Sequence, residues 1–150
     1  MLRKQKISKV TRLQGELLRD EKIGHPDWYA EMLVCAALDG QLALTNNPDY
    51  DINCKKYGKV QVKCRVNGTG GTQNRTNFKR YKEGAFDHAA IVIFESDYRI
   101  KGAVILPFST IVSIIRPAGH VTWQDASTHQ NSVDIKSELT EISGENQTAA

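Results

Sequence analysis

The stretch Pro48-Asp49-Tyr50-Asp51-Ile52-Asn53-Cys54, followed by a short Lys-bearing turn and then Lys59-Val60-Gln61-Val62-Lys63-Cys64-Arg65-Val66, decides how this chain is read. Polar and apolar residues alternate in both runs with period two, the pattern of strands that bury one face. On the second run Gln61, Lys63 and Arg65 share one face, and Val62, Cys64 and Val66 share the other. On the first run Asp49, Asp51 and Asn53 stand opposite Tyr50, Ile52 and Cys54. The two runs predict a β-hairpin with an apolar face and a face that carries an acid, an amide and an ammonium. Oxygen donors beside a cation suit a hard metal ion and a phosphate.

The flanking segments extend this unit. Residues 27–40 read as a helix with Asp27 as N-cap and Gly40 as its C′ stop, and Glu31 is the acid inside that apolar run. Residues 41–46 read as a strand ahead of the hairpin. Residues 86–94 and 100–107 are apolar runs that fit two further strands, and residues 109–115 fit a helix start. Residues 8–23 predict an earlier helix, with Val10, Leu13, Leu17 and Leu18 near helical spacing and Ser8 as a cap. Residues 67–74 form a polar, glycine-rich loop, expected to be mobile. Residues 118–123 read as a last strand or structured loop, residues 132–139 as a short helix, and residues 143–150 as a frayed tail.

The hairpin and its surroundings resemble the PD-(D/E)XK nuclease superfamily. That signature is an Asp ending one strand, a gap, and Glu-x-Lys on the next. Here Pro48-Asp49 and Asp51 match the first half, and Gln61-Val62-Lys63 the second, with Gln61 where the family usually carries Glu or Asp. Family members also place a Glu on the helix before the hairpin, which Glu31 matches. The resemblance covers roughly residues 27–116. It implies an α/β (α+β) fold with a restriction-endonuclease-like core, a central mixed β-sheet flanked by helices. It also implies metal-dependent DNA endonuclease activity, with Asp51, Gln61 and Glu31 as metal ligands, Mg²⁺ as the cofactor, Mn²⁺ able to substitute, and Lys63 beside the attacking water. The products would carry 5′-phosphate and 3′-hydroxyl ends. Restriction, homing and Holliday-junction-resolving types are not separated by these residues.

The chain has 150 residues, one domain's length, and 40% hydrophobic residues. A domain of this size buries about 70% of the surface of its unfolded chain, so it needs no disulfide or metal staple. We read it as a single nuclease domain, with a basic N-terminal helix (1–24) and a core (27–116). The three cysteines, Cys35, Cys54 and Cys64, lack CxxC spacing and read as small buried hydrophobes. His25, His88, His120 and His129 lack zinc-like spacing. No apolar run is long enough to span a bilayer, and no signal peptide is evident, which reads as a cytoplasmic protein. The glycine-rich loop matches neither G-x-G-x-x-G nor a Walker A pattern.

The net charge is +3, and its distribution is uneven. Between positions 55 and 82 the chain carries Lys55, Lys56, Lys59, Lys63, Arg65, Arg75, Lys79, Arg80 and Lys82 and no acid. A basic stretch around a metal-ligand pattern is the footprint of a polyanion binder. Lys55, Lys56, Arg65, Arg75, Lys79, Arg80 and Lys82 are the candidate nucleic-acid contacts, on double-stranded or branched DNA. One site per chain and two strands to cut predict a homodimer or a higher homo-oligomer. The competing readings are a non-cleaving nucleic-acid-binding module on the same fold, and a structural or inhibitory partner protein with an exposed basic face.

Overall fold

Long apolar runs suit strands that are covered on both faces. In the computed structural model two such runs are β5 (His88–Phe94) and β6 (Ile100–Pro107), paired antiparallel with Ala90 opposite Ile105. The structure describes residues 3–44, 49–67, 74–78 and 81–145. Before these strands come α1 (Arg3–Glu16), a π-helical turn (Leu17–Glu21), α2 (Pro26–Ala37), β1 (Gln41–Leu42), β2 (Ile52–Cys54), β3 (Gly58–Val66) and β4 (Arg75–Asn77). After them come α3 (Phe108–Ile114), β7 (His120–Thr122), α4 (Trp123–Thr128), β8 (Val133–Asp134) and α5 (Lys136–Ser143).

The fold is mixed α+β. Its main sheet has six strands in the order β1-β2-β3-β5-β6-β8, and β4 pairs with β7 in a separate two-stranded sheet. The sheet is mixed because β3 runs parallel to β5, while its other pairs are antiparallel. Strand alternation sorts the core into two layers. Ala90, Val92 and Phe94 face Leu33 and Val34 of α2 and Leu139 of α5. Ala89, Ile91 and Ile93 face Phe86, Ile111 of α3, Val121 and Ala126 of α4. Helices thus flank both faces of the sheet. No described helix is long and apolar enough to cross a membrane.

The hairpin forms, but its first strand is shorter than the alternation predicts: β2 is Ile52–Cys54, Asp51 lies just before it, and Tyr50 packs with the core layer opposite to that of Ile52 and Cys54. Ile52 pairs with Val60 and Cys54 with Gly58, and Ile52, Cys54, Val60 and Val62 are all buried. The strand expected over 100–107 is β6, while the run at 86–94 becomes strand only from His88. Cys35 and Cys54 are buried, and Cys64 is half-buried; all three are free thiols.

Other expectations need correction. The N-terminal helix starts at Arg3, not Ser8, and the Ser8 hydroxyl donates to the Lys4 carbonyl inside it. Its buried residues are Thr11 and Gly15, followed by Leu18, whereas Val10, Leu13 and Leu17 are exposed. Gly15 lies against the Tyr29 hydroxyl of α2, where any side chain would collide. Close approach of the two helices therefore selects the small residues and turns the larger ones outward. Asp27 is not the N-cap of α2. His25 holds that place and Pro26 takes the first helical position, where its missing N–H is no loss.

The strand expected over 41–46 is only Gln41–Leu42, and residues 45–48 lie outside the described residues. The glycine-rich loop lies mostly outside them as well, at residues 68–73. Residues 118–123 give β7, and α4 follows where no helix was expected. The helix expected over 132–139 is preceded by β8 and starts at Lys136. Of the tail expected to fray, Glu145 is held in place: its carboxylate accepts the Ile100 N–H at 3.0 Å and lies 4.0 Å from Arg19. Residues 146–150 lie outside the described residues.

The end of α2 shows why sequence spacing misplaces a stop. Asp39, at φ 51°, occupies the left-handed C′ position. Gly40 N–H then donates to the Cys35 carbonyl and Asp39 N–H to the Ala36 carbonyl, a Schellman closure. Gly40 serves packing instead: a Cβ there would lie 2.6 Å from Ile52 Cγ2 and 3.2 Å from the Asn53 carbonyl oxygen. Gly40→Ala is therefore expected to lower unfolding stability by about 1–3 kcal/mol through overpacking. Urea denaturation measures this, and an unchanged midpoint would contradict the packing role.

Candidate functional site

Strand β2 covers only the start of β3, from Gly58 to Val60. Beyond Val60 no described strand pairs with that side of β3, and its N–H groups must find other partners. Asp51 meets the need at the point where the ladder ends. Its own N–H donates to the Val60 carbonyl at 2.9 Å, and its carboxylate Oδ2 accepts the Val62 N–H at 2.7 Å. The Gln61 side-chain amide donates to the same oxygen at 3.0 Å. A backbone bond and a side-chain bond thus fix the Asp51 carboxylate at the open edge of β3.

Helix α2 brings a second acid to this edge. Glu31, 20 residues earlier in the sequence, shares a hydrogen bond with the Asp51 carboxyl. Burial, then the charge of Asp51 and the bond to it, push Glu31 up to about 7. Burial raises Asp51 as well, against the opposing pull of the Val62 N–H, the Glu31 bond and the Lys63 ammonium. The two carboxyls therefore bear on each other's protonation: Asp51 raises Glu31, and the bond from Glu31 pulls Asp51 down against its burial. Asp27, one helical turn before Glu31, adds a third negative charge and accepts the Cys64 thiol at 3.0 Å. Burial, then the bond to Asp27, push the Cys64 thiol up.

Across the edge, Lys63 holds its ammonium 5.5 Å from the centre of the Phe78 ring. A cation over an aromatic face is held without a carboxylate partner. The three acids, Gln61, Lys63 and Cys64 line a cleft of about 320 Å³ together with Arg65 of β3 and Arg75, Thr76 and Asn77 of β4.

The structure therefore gathers all four predicted site residues, Asp51, Gln61, Lys63 and Glu31, in one cleft. Of the basic residues, Arg65 and Arg75 line the cleft, but Lys55 and Lys56 sit at the hairpin tip outside it. Lys82 lies 3.8 Å from Asp49 in an ion pair. The basic stretch is thus divided by the fold, because the β2–β3 turn points the hairpin tip away from the β3 edge. Lys79 and Arg80 lie outside the described residues. Asp27 and Thr76 are cleft residues that the alternation argument did not single out. Asp27 is signalled by its i, i+4 relation to Glu31, which puts both on one helix face.

No protein-family model matches this chain, and no curated protein matches it.

The donor set fits a hard divalent cation. Two half-buried carboxyls, both raised, are the electrostatic condition that a cation between them would relieve. Turning the Gln61 amide over would offer its oxygen in place of its N–H. Among the described residues no three His, Cys, Asp or Glu side chains converge to hold a metal. That leaves two carboxylates and an amide, which suits an ion that keeps water ligands and takes the rest from phosphate.

The raised Glu31 has a consequence for stability. A carboxyl whose folded value lies above its unfolded value favours folding in its protonated form. That contribution is present below about pH 4.5 and is lost as pH rises toward about 7. In EDTA, Glu31→Gln should gain stability relative to wild type across this window and hold the gain above it. The gain should reach about 1–2 kcal/mol, allowing for solvent screening at this half-buried carboxyl. Urea unfolding at a series of pH values checks this, and parallel curves for the two proteins would contradict the raised pKa of Glu31.

Proposed function

We propose that this chain is a metal-dependent DNA endonuclease of the PD-(D/E)XK type, hydrolysing phosphodiester bonds on a restriction-endonuclease-like core. One observation carries the reading: Glu31 from α2 meets Asp51, Gln61 and Lys63 at the uncovered edge of β3. These are the residues on which the resemblance rests, and they come together from separate elements. The order of a Glu-bearing helix, a hairpin and a strand parallel to the Lys strand supports the same reading.

In this site Asp51, Glu31 and the Gln61 amide would hold Mg²⁺, with Mn²⁺ as a substitute. The bound ion would supply Lewis-acid polarisation of the phosphate and a water of lowered pKa. The chain's own residues do the rest. Asp51 is immobilised by the Val62 N–H, so its carboxylate is aimed before substrate arrives. Lys63, anchored on Phe78, stands where it can orient the attacking water and stabilise charge on the phosphate. Arg65 and Arg75 neutralise the incoming strand. Double-stranded or branched DNA is the substrate, and a homodimer or higher homo-oligomer would place one cleft on each strand.

A specific contact favours a second reading. The Gln61 amide donates its N–H to Asp51, a lock that needs no metal. It fits a module that binds nucleic acid without cutting it, whose binding would be salt-sensitive and indifferent to EDTA.

The test is incubation of the purified protein with supercoiled plasmid and a four-way-junction oligonucleotide in Mg²⁺, Mn²⁺ or EDTA. The nuclease reading expects metal-dependent cutting, reduced about 100-fold or more in Asp51→Ala, Lys63→Ala and Glu31→Gln. Cutting that persists in Asp51→Ala would overturn the site assignment. Metal-indifferent binding without cutting would favour the binding module.

A further inference from the structure

Helix α1 turns an apolar stripe away from the core. Thr11 and Gly15 lie on its packed side, with Leu18 of the following turn. Val10, Leu13 and Leu17 stand on the opposite side, 50%, 53% and 45% exposed, and none of them joins either core layer. Their spacing of three and then four residues is the pattern of a helix that packs against another helix. Scattered exposed apolar residues are ordinary, but three in line on one helix face form a patch that a partner can cover.

The charges along this face identify the partner. Lys6 lies seven residues before Leu13 and Asp20 seven after it, and Lys9 and Glu16 are seven residues apart on one flank of the stripe. All four are exposed, and none is in an ion pair among the described residues. The other cations beyond Lys9 turn elsewhere. Arg12 reaches the Glu141 carbonyl of α5, Arg19 donates to the Tyr29 hydroxyl, and Lys22 lies over the Tyr98 ring. The exposed face is therefore basic before Leu13 and acidic after it. A second α1 laid antiparallel across Leu13 sets each cation against an acid, whereas a parallel one sets like charges together. The helix dipoles favour the same antiparallel order. A patch that complements itself under a two-fold rotation is what a symmetric dimer requires. An anionic lipid surface would attract Lys6 and Lys9 but repel Glu16 and Asp20.

We propose that the Val10, Leu13 and Leu17 stripe is the contact between two copies of this chain. The two α1 helices lie antiparallel about a two-fold axis near Leu13, with Lys6 against the partner's Asp20 and Lys9 against the partner's Glu16. The nuclease reading asks for a symmetric oligomer without saying which surface forms it. This surface follows from α1 alone and needs neither DNA nor metal.

The test is sedimentation equilibrium of the full-length chain over a range of concentrations, in EDTA and without DNA. Wild type is compared with Leu13→Glu, Lys9→Glu, Glu16→Lys and the double variant Lys9→Glu/Glu16→Lys. A reversible dimer is expected. Leu13 acts twice across the axis, so Leu13→Glu should raise the dissociation constant about 30-fold or more. Each single charge change should raise it by roughly three- to tenfold, and the double variant should return it to the wild-type value. Because Leu13 is exposed, monomeric Leu13→Glu should melt at the same temperature as monomeric wild type; a marked fall would place Leu13 in the fold and overturn the proposal. A monomer at every concentration would also overturn it, as would a dimer that Leu13→Glu leaves intact. A double variant as weak as the single ones would overturn the antiparallel order. The same proteins are mixed with phosphatidylglycerol vesicles: a monomer that binds them through Leu13 would assign the stripe to a lipid surface instead. Loss of cutting with the dimer intact bears on the nuclease reading alone.

Discussion

The early end of β2 shapes much of what surrounds it. Strand β3 is paired along its length with β5 but covered on its other side only up to Val60. A sheet edge left open in this way exposes backbone donors that must be satisfied or solvated. The Asp51 carboxylate takes over the ladder at Val62, and in doing so becomes a half-buried acid with a fixed direction. Everything else in the cleft is arranged around that carboxylate. Glu31 is hydrogen-bonded to it, Gln61 donates to it, and Lys63 is near enough to pull against its raised pKa.

The two core layers make this arrangement rigid. On one side α2 packs through Leu33 and Val34, which fixes the helix that presents Glu31 and Asp27. On the other, Phe78, Phe86 and Ile91 form the layer behind Lys63 and Arg65. The cleft lies where the two layers meet the open edge, so its acids come from one layer and its cations from the other. A single cleft of about 320 Å³ thus offers both carboxylate oxygens and N–H donors. It also ties the functional reading to packing: a shift of α2 would separate Glu31 from Asp51 without touching either residue.

Much of this was legible in the sequence, because period-two alternation reports strand faces directly. The hairpin, β6 and the meeting of Asp51, Gln61 and Lys63 follow from it. Glu31 was legible as an acid in an apolar helix. Other features were not. The exposed Val10, Leu13 and Leu17 look like a buried helix face, but the packing of α1 on α2 is set by Gly15 making room for Tyr29, a steric fact of the partner helix. Gly40 looked like a helix stop, but its need is set by Ile52 and the Asn53 carbonyl. Thr76 carried no signal, since a threonine in a strand is ordinary; only the pairing of β4 with β7 puts it in the cleft wall. The basic stretch read as one surface, yet the hairpin geometry sends Lys55 and Lys56 away from Arg65 and Arg75. Local pattern specifies faces, while the choice between faces and the company they keep belongs to tertiary contacts.

The central claim is that Glu31 and Asp51 form one hydrogen-bonded carboxyl pair that a divalent cation would occupy. The most direct measurement is a ¹³C NMR titration of their side-chain carboxyl carbons, with and without Mg²⁺. The account predicts that without metal Glu31 titrates near 7 and that Asp51 titrates above the usual aspartate range. Each should report the other's protonation, and Mg²⁺ should move both downward. Ordinary, independent carboxylate titrations that Mg²⁺ leaves unchanged would contradict it.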